Sequence, residues 1–145
     1  MVSKKLSDLK PIAATKASAA LADLKRDGVP CVVTYTLRTT AEQNALFAQG
    51  REPLDAVNAK RKIAGLYALS EKENKYTVTN CDGLRHQSRH QTGTALDVVP
   101  LDNGRAVWPN GTDPRWQQIA SAFKAHGFTW GGDWKDFPDY PHYQL

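Results

Sequence analysis

Two stretches of the sequence bring together residue types that bind metal ions. Residues Ser88–Asp97 follow the pattern S-x-H-x-x-G-x-A-x-D, which places His90 in a predicted loop and Asp97 on a predicted strand. Further along the chain, His142 comes three residues after Asp139. Two imidazoles and one carboxylate leave the fourth position of a tetrahedral zinc site open to water, as in catalytic zinc sites. The sequence therefore predicts one zinc ion bound by His90, Asp97 and His142.

Asp139 is the candidate acid–base residue of this site. A carboxylate that lies near the metal without binding it can take a proton from water and later deliver it to a leaving amine. The position of Asp139, three residues before His142, suits that role. Asp133 and Asp136 lie on the same predicted loop and are the alternatives.

The other two histidines are expected to have supporting or structural roles. His86 precedes His90 by four residues, which is a ligand spacing on a helix, but the flanking residues do not predict a helix. We therefore expect His86 to lie beside the site or in solvent. His126 precedes Gly127 at a predicted helix end, where an imidazolium interacts favourably with the helix dipole. A structural role is expected for His126.

The two motifs resemble those of the VanY-like, or M15, family of zinc D-Ala-D-Ala carboxypeptidases and L-alanyl-D-glutamate endopeptidases, which includes many phage endolysins. The resemblance extends from about Tyr35 to the end of the sequence. Residues 37–51, LRTTAEQNALFAQGR, are similar to the family block R-x3-E-Q-x2-L-(Y/F)-x2-G-R. Residues 130–134, WGGDW, are similar to the W-G-G-x-W turn of the family.

This resemblance implies a role for each candidate residue. The general base falls on Asp139, and the zinc ligands fall on His90, Asp97 and His142. Arg38 is implied to polarise the scissile carbonyl or to stabilise the developing oxyanion, which is a large catalytic effect for a fixed cation. We also expect Ser88 and Gln43 to contact the substrate, and the alternative for Ser88 is a hydrogen bond within its own loop.

The implied activity is zinc-dependent hydrolysis of the L-Ala-D-Glu bond in peptidoglycan stem peptides, as in a phage-type endolysin. A D-Ala-D-Ala carboxypeptidase is the alternative within the family. The alternative from another class is a non-catalytic zinc-bearing module that binds cell wall or protein, like the similar hedgehog signalling domain. Asp139 and Arg38 argue against that module, because binding alone needs neither. The implied partner is bacterial peptidoglycan, and a monomer is expected.

The length and composition are those of a single globular domain without a membrane span. The chain has 145 residues, 41% of them hydrophobic, which suits a single domain over residues 1–145. No run approaches the roughly 20 apolar residues of a membrane span, and the first residues, MVSKKLSDLK, lack the apolar core of a signal peptide. We therefore expect no membrane insertion and a cytoplasmic location before release to the wall.

The net charge of +4 comes from scattered cations and does not indicate nucleic-acid binding. Cys31 and Cys81 are expected to be free thiols.

The elements that must position these residues mix helices and strands without strict alternation. This favours an α+β domain with a small antiparallel sheet flanked by helices, and the family resemblance implies the fold of D-Ala-D-Ala peptidases and the hedgehog domain. Residues 51–75 are expected to form a surface excursion with one helix. The predicted helices are Leu6–Asp27, a short helix opened by a capping box at Thr40–Gln43 and closed by Gly50, and one beginning at Asp113-Pro114 with Trp116, Ile119, Ala120 and Phe123 inside. The predicted strands are Cys31–Leu37, Ala95–Val99 ended by Pro100, Arg105–Trp108, Phe128–Trp130 and His142–Leu145.

Overall fold

The computed structural model describes residues 2–145, which form four helices and five strands. Numbered in chain order, they are α1 (Pro11–Arg26), β1 (Cys31–Tyr35), α2 (Thr40–Ala48), α3 (Leu54–Ala64), β2 (Ala95–Asp102), β3 (Arg105–Ala106), α4 (Pro114–Ala125), β4 (Thr129–Trp130) and β5 (His142–Gln144). Short 3-10 turns occur at Leu6–Asp8, Glu73–Lys75 and Gly131–Asp133. The predicted α+β class is confirmed. Within residues 2–145, none of the helices is both long enough and apolar enough to cross a membrane.

These residues group into two compact units. One consists of Ser3–Leu37 and Gly93–Leu145, and it holds all five strands together with α1 and α4. The other consists of Val2 and Arg38–Thr92, and it holds α2 and α3. The expectation of a single domain over residues 1–145 stays a prediction.

The sheet is antiparallel throughout, with strand order β1-β2-β5-β4 and β3 paired to the far end of β2. The central strand β2 pairs β1 on one side, where Val32 lies opposite Val99. It pairs β5 on the other side, where Asp97 lies opposite His142. The register on this second side matters most, because it sets two of the predicted metal ligands across from each other.

The prediction that Pro100 ends β2 is wrong, because the strand continues to Asp102. Val98 donates its amide to the carbonyl of Pro141 on the β5 side, so strand alternation turns the nitrogen of Pro100 toward that side as well. The pairing with β5 covers only residues 95–97 of β2, so the ladder needs no amide hydrogen from residue 100. Proline is tolerated in a sheet at such a position.

The first predicted helix is interrupted, and α1 begins only at Pro11. Lys10 has an extended backbone (φ −57°, ψ 145°), which is the conformation that a following proline favours. Pro11 then occupies the first helical position, where its missing amide hydrogen costs nothing. Ile12 is 59% exposed. The buried face of α1 is formed by Ala13, Ala17, Ala20 and Leu24.

Helix α4 agrees with its prediction at its start and on its buried face. The Asp113 carboxylate accepts a hydrogen bond from the amide of Arg115 (3.0 Å), and Pro114 occupies the first helical position. The predicted inner face is fully buried against the sheet and α1: Trp116, Ile119, Ala120 and Phe123. From β5, Tyr143 stacks on Phe123 with ring centroids 4.4 Å apart. The same core buries Leu96 of β2.

In the other unit, the capping residue of α2 is Thr39 and not Thr40. The Thr39 hydroxyl accepts a hydrogen bond from the amide of Glu42 (3.1 Å), and it lies 3.2 Å from the Glu42 carboxylate, to which it donates. The capping box predicted on Thr40 and Gln43 is therefore wrong by one residue. The shift leaves the Gln43 side chain available for the interior, where it is fully buried.

Residues 51–75 contain the one helix that was predicted there, and they also contribute to a buried core. They contain α3, which ends at Gly65 in the left-handed conformation (φ 76°). Val57 of α3 and Leu69 are buried together with Ala48 of α2, which gives this unit a small core of its own.

Candidate metal centre

The β2–β5 pairing carries Asp97 and His142 to one face of the sheet. The two residues are opposite each other, and Asp97 Oδ1 lies 3.5 Å from His142 Nδ1. Their neighbours Leu96 and Tyr143 are also opposite each other and are fully buried in the core on the other face. Because side chains alternate along a strand, burying Leu96 and Tyr143 in the core places Asp97 and His142 together on the opposite face of the sheet.

His90 lies in the loop before β2 and is almost completely buried. Its amide donates to the hydroxyl of Ser88 (3.2 Å), and its carbonyl accepts a hydrogen bond from the amide of Arg38 (3.0 Å). These bonds fix the backbone of His90 on both sides. Gly93, three residues later, has φ 74°, a backbone conformation that glycine adopts without strain.

The side chains of His90, Asp97 and His142 form a group that could hold a metal ion. One ligand atom from each residue lies within 4.8 Å of the other two. Two imidazole nitrogens and one carboxylate oxygen are donors that zinc accepts in a tetrahedral site. Both histidines are more than nine-tenths buried, while the Asp97 side chain is 20% exposed. The residues present therefore fit a zinc ion.

Gln144 is a hydrogen-bond partner of His142 that the sequence analysis did not identify. The Nε2 atom of His142 lies 2.8 Å from the Gln144 side-chain oxygen. When Nε2 donates to this oxygen, Nδ1, which faces Asp97, is available as a metal ligand. The signal in the sequence is the two-residue spacing on a strand, which puts Gln144 on the same face as His142.

The surroundings of His142 favour positive charge. Burial disfavours the charged imidazolium. The hydrogen bond with Asp97 and the negative charge of Asp97 together outweigh the effect of burial, and Gln144 and Asp139 make smaller contributions in the same direction. The net result is that the pKa of His142 lies above its ordinary value. The carboxylates that stabilise an imidazolium here also attract a metal cation.

Asp139 is half-buried and held beside the start of β5. Its amide donates to the carbonyl of Gly131 (2.9 Å), and its carbonyl accepts a hydrogen bond from the amide of His142 (3.2 Å). A Cβ atom at Gly131 would lie only 2.5 Å from the Asp139 carbonyl oxygen, so this approach requires glycine. Asp133, one of the alternatives, is exposed and pairs with Lys124 at 2.7 Å. Asp136 is exposed as well. This placement favours Asp139, whose role as base stays a prediction.

The predicted substrate-contacting residues have internal partners. Gln43 is fully buried, and its side-chain oxygen accepts a hydrogen bond from Arg38 Nη1 (2.8 Å). Ser88 is 8% exposed, and its hydroxyl holds the amide of His90. Arg38 itself is half-buried. The catalytic role of Arg38 and the contacts of Ser88 and Gln43 with a substrate stay predictions.

The remaining histidines lie where the sequence led us to expect. His86 is exposed on a segment that is not helical. His126 caps the end of α4, and its Nε2 atom lies 2.7 Å from the Asp23 carboxylate of α1. The hydrogen bond to His126 is the largest cause of a lowered pKa for Asp23. His126 thus joins two helices.

The sequence matches a known family and a curated relative. Residues 82–145 match the M15 peptidase family model described as D-alanyl-D-alanine carboxypeptidase. Over 146 aligned residues the chain is 32% identical to the peptidoglycan L-alanyl-D-glutamate endopeptidase CwlK of Bacillus subtilis (strain 168). That alignment covers 96% of this chain and 74% of CwlK.

Two solved structures share the fold. The L-Ala D-Glu endopeptidase ChiX of Serratia marcescens superposes with a TM-score of 0.58 at 27% identity, covering 97% of this chain and 82% of ChiX. A mutant of the vancomycin-resistance D,D-pentapeptidase VanY, in complex with Zn(II), superposes with a TM-score of 0.58 at 17% identity, covering 94% of this chain and 72% of VanY. Because the match to CwlK extends over nearly the whole sequence, this chain belongs to the M15 family of peptidases.

Proposed function

We propose that this chain is a zinc-dependent endopeptidase that hydrolyses the L-Ala-D-Glu bond of peptidoglycan stem peptides. The observation that carries the proposal is the group formed by His90, Asp97 and His142, whose ligand atoms lie within 4.8 Å of one another. The choice of bond is supported by CwlK and ChiX, which are both named as endopeptidases of L-alanyl-D-glutamate. We take the active form to be a monomer that neither binds nucleic acid nor inserts into a membrane.

His90, Asp97 and His142 would hold the zinc ion. When bound, the ion supplies a Lewis acid that polarises the scissile carbonyl and lowers the pKa of water. The Asp139 carboxylate takes the proton that this water loses and delivers it to the nitrogen of the leaving D-Glu. Arg38 places a guanidinium toward the negative charge that develops on the carbonyl oxygen. The contact between His142 Nε2 and the Gln144 side-chain oxygen orients the imidazole with Nδ1 toward Asp97.

A D-Ala-D-Ala carboxypeptidase is the second candidate. It is favoured by the description of the family model that matches residues 82–145. Both reactions hydrolyse an amide next to a residue of D configuration and place the same demands on zinc, base and cation. They differ in which amide of the stem peptide is cleaved, so the products separate them.

The proposal is tested by mass spectrometry of purified peptidoglycan after incubation with the zinc-loaded protein. The expected result is a set of new fragments that end at L-Ala and begin at D-Glu, absent when a chelator is added. Loss of a single terminal D-Ala would replace the endopeptidase assignment with that of a carboxypeptidase. Intact peptidoglycan of several cross-link types would overturn hydrolysis and favour a zinc-bearing binding module.

Replacing Gln144 with leucine is expected to weaken zinc binding by about 10- to 100-fold, because the partner that orients a ligating imidazole is lost. The leucine side chain fills a similar volume but cannot accept the hydrogen bond from His142 Nε2. The dissociation constant is measured by competition with a chromophoric chelator. Gln144→Glu is the control and keeps an acceptor, so it should bind zinc at least as tightly as the parent. Parental affinity in Gln144→Leu would show that Gln144 does not orient the ligand.

A further inference from the structure

Gln43 is a glutamine with every side-chain polar atom engaged in the protein interior. It is fully buried, and its oxygen accepts a hydrogen bond from Arg38 Nη1 at 2.8 Å. Its nitrogen donates to the carbonyl of Cys81 at 2.8 Å and to the hydroxyl of Thr79 at 3.2 Å. Reversing the amide would turn its NH2 group toward the guanidinium and its oxygen toward a carbonyl. The amide therefore has one allowed orientation.

Arg38 is held at both its backbone and its side chain. The Arg38 amide donates to the carbonyl of His90, while Nη1 of the same residue reaches Gln43. Thr39, the next residue, caps α2 and fixes where the helix begins. Arg38 is thus tied at its main chain to a predicted zinc ligand and at its guanidinium to the first turn of α2.

The segment that contains Cys81 and Gly83 packs directly against the Gln43 side chain. Gly83 has φ 90°, and a Cβ atom there would lie 3.0 Å from Cγ of Gln43 and 3.1 Å from Oδ1 of Asn44. Only glycine lets the backbone come this close without displacing the glutamine. The carbonyl of Cys81 therefore stays where the Gln43 amide can donate to it.

We propose that Gln43 is a positioning residue that holds the Arg38 guanidinium in its catalytic orientation without neutralising its charge. The proposal rests on the proposed function and on the role of Arg38 within it. A carboxylate at position 43 would also accept a hydrogen bond from Arg38, but it would pair the guanidinium and reduce its attraction for the developing oxyanion. A neutral amide anchors the cation and leaves its charge available to the substrate. This role differs from direct contact with the substrate, because the Gln43 side chain is enclosed.

A double-mutant cycle between Arg38 and Gln43 tests the proposal. Arg38→Ala is expected to lower kcat by about 10²- to 10³-fold, as for other oxyanion-stabilising groups. Gln43→Ala is expected to lower kcat by about 10- to 100-fold with little change in KM, because Arg38 remains but is misplaced. In the Arg38→Ala background, Gln43→Ala should cause no further loss. Additive losses would overturn the proposal, since Gln43 would then act independently of Arg38.

Two further variants separate positioning from a general structural effect. Gln49 is a second buried glutamine at the end of α2, and its nitrogen donates to the carbonyl of Glu73 at 3.1 Å. Gln49→Ala should lower thermal stability and leave kcat at the parental value. An equal loss of kcat in Gln49→Ala would overturn the proposal in favour of a loosened α2. Gln43→Glu should not restore the parental kcat, and full activity in that variant would refute the argument from charge.

Nitrogen NMR of the Arg38 side chain gives a readout that does not depend on turnover. In the parent, we expect slow rotation of the guanidinium and separate Nη signals, because Gln43 accepts from one of the two nitrogens. In Gln43→Ala the signals should average. If the parent shows separate signals but cleaves no peptidoglycan, the proposed function fails. If Arg38→Ala keeps full activity, the catalytic part of the Gln43 proposal fails while zinc-dependent hydrolysis stands. Averaged signals in the parent would overturn the proposal directly.

Discussion

Replacing Asp139 with alanine is expected to lower hydrolysis of the stem peptide by about 10²- to 10⁴-fold, the usual contribution of a general acid–base group. The reason is that no other carboxylate of the loop can replace it. Asp133 is exposed and paired with Lys124, and Asp136 is exposed. The zinc content and the fold should remain, because the Asp139 backbone makes the hydrogen bonds that hold the loop.

The measurement combines kcat/KM on a synthetic stem peptide with metal analysis and thermal unfolding of the same sample. Asp133→Ala is the matched control, since it removes an aspartate from the same loop and should keep nearly parental turnover. Unchanged turnover in Asp139→Ala would remove that residue as the base. A large loss in Asp133→Ala instead would show that the wrong aspartate had been chosen.

The second large effect is expected at His142. Its replacement by alanine removes one of three predicted ligands and should weaken zinc binding by more than the roughly 100-fold loss seen for outer partners of a ligand. Hydrolysis should fall with the metal content. The remaining pair, His90 and Asp97, offers too few donors to retain the ion against a competing chelator.

Zinc in His142→Ala is measured by elemental analysis after dialysis against a weak chelator. His126→Ala is the matched control, because that histidine is also hydrogen-bonded to an aspartate but belongs to the α1–α4 contact. It should retain one zinc ion per chain. A full complement of zinc in His142→Ala would exclude His142 as a ligand, and loss of zinc from His126→Ala would show that the assay reports unfolding.

Much of the fold could be predicted from local signals. The start of α4 is specified by two adjacent residues, a capping aspartate and a proline, and its buried face by apolar residues at helical spacing. The turn between β2 and β3 follows from Asn103 and Gly104, which adopt φ 50° and 78° as a tight hairpin requires. In both cases the determining contacts lie within a few residues of each other.

Other features depend on contacts between distant parts of the chain. Whether Pro100 ends a strand depends on where β5 stops pairing, which no neighbour of Pro100 reveals. Thr39 and Thr40 are equally good caps as residue types, and only the position of Glu42 relative to the helix start decides between them. The predicted end of β2 at Pro100 and the predicted cap at Thr40 were both inferred from residue type. The strand pairing and the position of the helix start determine these features instead.

In the candidate site, too, some features follow from local motifs and others depend on contacts that the motifs do not reveal. His90, Asp97 and His142 could be selected from their motifs, and the structure brings their ligand atoms together. The hydrogen bond between His142 and Gln144 required knowledge that the two side chains share a face of β5. The contact of Gln43 with Cys81 joins residues 38 positions apart, so no local pattern indicates that this glutamine is buried.

The short strand β5 gives metal binding a consequence for local unfolding. It has three residues, it is hydrogen-bonded between β2 and β4, and it carries His142. Any opening that separates β5 from β2 also separates His142 from Asp97, so the open form cannot keep the full ligand set. Zinc at 1,000 times its dissociation constant would add about 4 kcal/mol to the cost of that opening. Hydrogen exchange of the β5 amides would then slow as the ion binds, which makes three residues of backbone a reporter of metal occupancy.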